Sequence, residues 1–258
     1  MQRHQLFGVI CFVLFVLGVA STAEAGLEVR MGGQALYDSD LDVTWVSDAK
    51  LALTNQFGLT LSGIPYNILP YPPPQDTVSS GGHMTWQSAN AWIAGMNAAN
   101  YLGFNDWRLP VSSGEFCSQD IDGSVPAVAA VGFNCSSSEM GHLYYNVLGA
   151  TPSQNFALSA DPIELAKFAN LSDEFGNGHD SWSGTEYIAG PSGHAYSFEI
   201  TNGHQHQGPK INFLFTLAVR DGDVGGAVAV PSLGTLGTFT LFSLLGLSSL
   251  RLLRRNSS

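Results

Sequence analysis

The side chains best suited to chemistry in this chain are carboxylates and imidazoles, and they cluster in three places. Asp38, Asp40 and Asp42 alternate along a short polar stretch, as calcium loops space their oxygen donors. They depart from an EF-hand: neither the glycine at its sixth position nor the closing bidentate glutamate is present. A turn carrying solvated acids is the competing reading. Asp173, Glu174, Asn177 and Asp180 form a second oxygen-donor set, suited to calcium as a cofactor. His204 and His206 sit two residues apart, so on a strand they face one way, with His194 across a hairpin. Two or three imidazoles bind zinc; an exposed hairpin tip with scattered histidines is the alternative.

Other chemistries are excluded by pattern. The chain has no nucleophile elbow, P-loop, dinucleotide fingerprint or HExxH helix. Hydrolysis by loop carboxylates stays open and requires two of them about 5 to 10 Å apart in a cleft. A purely structural surface protein is a further alternative. Past a leading apolar segment holding Cys11, two cysteines remain, Cys117 and Cys135. In an oxidising compartment they form one disulfide, stabilising by roughly 3 kcal/mol; a free catalytic thiol is the other reading.

Elements must position these groups. Alternation over 27–46 around Asp38-Ser39-Asp40 predicts a hairpin. Residues 63–82 contain Pro65, Pro70 and Pro72-Pro73-Pro74 and read as a long loop. Its Tyr66 and Tyr71 are either ligand contacts or part of a plain insertion. Thr85 caps a helix whose apolar stripe is Trp86, Ala89, Trp92, Ile93 and Met96, with Gly103 as its stop. Ser136 and Glu139 match a capping box ahead of a second helix, with His142 beside its apolar face. Pro162 follows Asp161 at a third helix start. Segments 194–200 and 211–220 read as strands paired around Asn202-Gly203. Arg108 and Arg220 stand among apolar neighbours and need carboxylate or carbonyl partners. Arg108 is expected to clamp loops through Asp106, Glu139 or Glu186.

The two ends read as targeting segments. Residues 1–25 form a basic start, an apolar run and an Ala-Glu-Ala cleavage pattern, the signature of a signal peptide removed by signal peptidase. Residues 233–250 are apolar, just long enough to cross a membrane as a transmembrane helix, and are followed by Arg251, Arg254 and Arg255. Between the two lies the mature body. Of 10 basic residues six remain there (Arg3 and the three tail arginines being lost), and of 21 acidic residues 20 remain, a net charge of −14. Such a surface repels polyanions, which argues against nucleic acid or sulfated glycans as partners.

The tail, with Val230-Pro231-Ser232 ahead of the span in residues 225–232 and the arginine cluster in 233–258, resembles the PEP-CTERM sorting class, though it lacks that class's commonest Glu-Pro form. The resemblance implies an exosortase-like processing enzyme as partner. It also implies export to the cell surface or extracellular matrix of a Gram-negative bacterium. Within 26–224, four motifs occur in order: Asp-Ser-Asp-Leu-Asp-Val-Thr-Trp at 38–45, Trp-Arg-Leu-Pro at 107–110, Trp-Ser-Gly-Thr at 182–185 and Ala-Val-Arg at 218–220. Together they resemble the DUF1566 family, the Lcl C-terminal domain. That resemblance implies an α+β, C-type-lectin-like fold: a small twisted antiparallel sheet, flanking helices and long loops. It further implies an exported or surface domain, which reads as a binding module of unknown ligand, with an extracellular glycan as a candidate partner. For such a module Tyr66, Tyr71, Asp180, Trp182 and Glu186 are the candidate contacts, with a core position as the competing reading for Trp182, as for Trp107. One branch of the family binds sulfated glycans through basic surfaces, a ligand that this acidic chain does not suit.

Overall fold

The computed structural model describes residues 26–225 apart from 114, 116, 125, 126, 128 and 172–179. Two antiparallel sheets carry the fold. In the first, β1 (Leu27–Arg30), β2 (Ala35–Asp38) and β3 (Val43–Val46) follow one another, and the late strand β9 (Val219–Asp221) joins β3 from the other side. Alternation places Leu36 opposite Trp45 and Trp45 opposite Val219, all buried, as period-two patterning requires. The hairpin expected at 38–40 is present, with Asp38 paired to Val43. In the second sheet, β6 (Asp180–Glu186), β7 (His194–Glu199) and β8 (His204–Pro209) pair in chain order. A short parallel pair, β4 (Thr60–Leu61) with β5 (Thr77–Val78), brackets the proline-rich loop. The architecture is α+β.

One strand assignment is corrected. The partner of β7 across Asn202-Gly203 is 204–209, whereas 211–220 contributes β9 to the other sheet. A tight turn delivers the residues immediately after it, even polar ones. His204-Gln-His-Gln-Gly-Pro lacks an apolar stripe but still satisfies its backbone groups on β7. Gly203 sits at φ 83° where a β-carbon would strike the Tyr144 ring and the Tyr145 hydroxyl.

Helices α1 (Leu51–Thr54), α2 (Trp86–Ala98), α3 (Glu139–His142), α4 (Phe156–Ser159) and α5 (Pro162–Leu165) flank the sheets. Thr85 caps α2 by accepting from the Ser88 N–H, and Ala89, Trp92, Ile93 and Met96 enter the core. The helix stops at Asn100, left-handed at φ 48°, before Gly103 is reached. Asp161 caps α5 at two N–H groups. Helix α3 continues as one wide turn over Leu143–Val147. Its capping box does not form: Ser138 is the cap position, and Glu139 is drawn away to Arg108. The Cys117–Cys135 disulfide closes the loop before α3.

The Trp-Arg-Leu-Pro segment joins the two sheets. Arg108 exchanges backbone hydrogen bonds with Val219 of β9, at 2.8 and 3.0 Å. Two residues later the Pro110 carbonyl accepts from Gly184 N–H and Ser183 Oγ of β6. Among the described residues no helix is long and apolar enough to cross a membrane. The signal segment 1–25 and the tail 233–258 lie outside them.

Candidate functional site

The five expected contact residues do not converge. Tyr66 and Tyr71 line one cleft of about 370 Å³, together with Leu69, Pro70, Pro73 and residues 211–214. Asp180 and Glu186 stand at opposite ends of β6. Trp182 between them is fully buried, its indole N–H donating to the Met84 carbonyl, so its ring faces the core and has no surface for a ligand. Glu186 is bound to Lys210 at 2.9 Å, and that ammonium lies 4.0 Å above the Trp86 ring. Asp173, Glu174 and Asn177 fall outside the described residues.

The cleft follows from local chemistry. Residues 65–74 make one 3-10 turn over Tyr66–Ile68, and Pro70 and Pro72-Pro73-Pro74 keep that helix from continuing towards Tyr71. Tyr71 is 82% exposed and Tyr66 41%. The opposite wall, 211–214, is pinned where Leu214 and Met84 exchange backbone hydrogen bonds of 2.8 and 2.9 Å. Tyr66 is backed by the His83 ring at 4.4 Å, and His83 in turn lies 3.9 Å from Phe215. Burial holds the His83 pKa down to about 4, with Lys50 adding to the effect, so at neutral pH its ring is uncharged. Among the described residues the lining contains no carboxylate, lysine or arginine; Asn212 and the tyrosine hydroxyls supply its polar groups. Such a surface suits stacking on a neutral ligand and lacks the groups for acid–base chemistry.

Asp180 belongs to a second constellation. Register sets it opposite Glu199, and Glu199 opposite His204. His206 Nε2 lies 3.1 Å from Glu199 Oε2, and the ligand atoms of Asp180, Glu199 and His206 are all within 4.8 Å of one another. The two carboxylates are driven apart. The hydrogen bond from His206, aided by Thr201 and Asn202, holds Glu199 down at about 2. Burial pushes Asp180 up to about 6, against the pull of His206. Burial, with the His206 charge alongside, lowers His204 to about 4. Sequence reasoning missed Glu199; its signal was the strand pairing across Asn202-Gly203, which sets it against the histidines. His194 is remote from that pair, opposite Pro209 at the far end of β7.

The arginines act inside the scaffold. Arg108 binds both Glu139 oxygens at 2.6 and 2.7 Å and also Asp221. Of its expected partners, Asp106 instead holds Arg220 in a two-bond fork at 2.8 Å, and Glu186 holds Lys210. No family model matches the chain, and neither a curated protein nor a solved structure does.

Proposed function

We propose that this chain is an exported, surface-associated binding module, a DUF1566-like domain of C-type-lectin-like fold, whose ligand is a neutral extracellular glycan. The observation that supports this reading is the Tyr66–Tyr71 cleft: exposed aromatic faces, an amide, and no charged side chain in the lining among the described residues. Sugar rings stack their C–H faces on tyrosine, while the −14 body turns polyanions away. Residues 1–25 and 225–258 direct export and sorting, through signal peptidase and an exosortase-like enzyme. A glycan array probed with the full chain, with and without calcium, tests the reading. Neutral oligosaccharides are expected to bind, and Tyr71→Ala to weaken them about tenfold. A flat response to all sugars counts against it.

A second reading, glycoside or ester hydrolysis, draws on Asp180 and Glu199, carboxylates with separated pKa values whose ligand atoms lie within 4.8 Å, closer than the roughly 5 to 10 Å that hydrolysis by loop carboxylates requires. Turnover of a chromogenic substrate panel that disappears in Glu199→Gln favours it; identical turnover in that variant rejects it.

A further inference from the structure

A second group of two carboxylates and one imidazole lies in the first sheet, away from both the tyrosine cleft and the β6–β8 cluster. Asp38 ends β2, Asp40 follows in the hairpin loop, and His142 closes the α-helical part of α3. The Asp38 carboxylate has one oxygen occupied. Oδ1 accepts from the Asp40 and Leu41 N–H groups at 3.0 and 3.4 Å. Its other oxygen, Oδ2, is buried and makes no hydrogen bond; neither does His142 Nε2. Asp38 is 2% exposed and His142 8% exposed. The two atoms face each other at ion-pair distance without a hydrogen bond, and each costs free energy unless something lies between them.

Their separation shows what fits. Asp38 Oδ2 and His142 Nε2 are 3.5 Å apart, and Asp40 Oδ2 is 4.0 Å from the same nitrogen. Ligand atoms at about 2.0–2.2 Å from a tetrahedral zinc ion stand about 3.3–3.6 Å from one another. Asp40 is exposed, so it can close the last half-ångström or so and leaves a path for an ion to enter. Two carboxylates balance a divalent charge. An imidazole nitrogen with two oxygens suits zinc-type ions, whereas calcium prefers six to eight oxygens.

The placement has an identifiable origin. Glu139, three residues before His142, is gripped by Arg108, which also bonds to Val219 and Asp221 of β9. Strand β9 lies beside β3, and β3 beside β2. The arginine thus ties the helix carrying His142 to the sheet carrying Asp38.

We infer that Asp38, Asp40 and His142 form a binding site for one zinc-type divalent cation, with Arg108 as its positioning residue. Zinc titrated into the metal-stripped full chain, read by competition with a chromogenic chelator, tests this. One ion per chain is expected, outcompeting a tenfold excess of calcium. His142→Ala is expected to weaken it at least about 100-fold and Asp40→Asn about tenfold. Because Asp40 is exposed, its variant keeps the test valid should loss of a buried member prevent folding. No saturable zinc binding means that Asp38 and His142 are merely an ion pair and overturns the inference. Wild-type affinity in both variants also overturns it, as does binding lost in His206→Ala instead, which would move the ion to β6–β8.

Discussion

Two clusters in this molecule have the same composition, two carboxylates and one histidine with ligand atoms within 4.8 Å, and each keeps a buried carboxylate oxygen without a hydrogen bond, Asp38 Oδ2 and Asp180 Oδ1, yet their imidazoles are held differently. In Asp180–Glu199–His206 the imidazole is already bound to a carboxylate at 3.1 Å, and Thr201 occupies the other Glu199 oxygen. In Asp38–Asp40–His142 the buried oxygen and nitrogen make no hydrogen bond. Composition therefore does not separate the two; what does is that in the second cluster the imidazole nitrogen, as well as a carboxylate oxygen, is unspent. The first cluster is built on three paired strands, where register brings partners into contact. The second spans a hairpin and a helix, whose distance is set by a third party, Arg108.

The largest expected effect breaks that third party. Arg108→Met leaves the mostly buried Glu139 carboxylate without its cation and should cost about 2–4 kcal/mol in urea unfolding. It should also weaken zinc about tenfold if the arginine positions His142. Loss of stability with unchanged zinc affinity would separate the clamp from the site.

Next comes Glu199→Gln. Its folded pKa is depressed, so its contribution is full above the unfolded carboxylate value near 4.5 and vanishes as pH falls towards about 2. The variant should lose about 1–2 kcal/mol at pH 7 and nothing near pH 2.

Asp180→Asn should do the reverse. Burial raises its pKa to about 6, so stability is lost as pH rises from the unfolded value through 6. The substitution should stabilise by about 1–2 kcal/mol at pH 7.5 and be neutral below pH 4. The same sign for both variants would show that the pair does not titrate as two opposed groups.

The smallest effect is expected for Asp40→Asn, within about 0.5 kcal/mol of wild type in metal-free thermal unfolding, because its side chain is exposed. A larger loss would mean that Asp40 stabilises the hairpin itself.

Much of the frame was legible in the chain. Thr85 and Asp161 announced their caps, Asp38-Ser39-Asp40 announced its hairpin, and two cysteines left one pairing. These are short-range signals, in which side chain and backbone satisfy each other within a few residues. The misread elements share a different cause. Segment 204–209 is a strand because β7 needed a partner, and Glu139 abandoned its capping box because Arg108 competed for it.

The sequence by itself determined an acidic body with two apolar ends, its caps and turns, and which residue types were available for binding. Only the tertiary structure decided which of them remained unspent. Asp38 and His142 are 104 positions apart, and neither shows locally that the other will stop 3.5 Å away. That distance depends on strand order and on one arginine bridging a helix and a sheet, and such long-range pairing leaves no periodic trace along the chain.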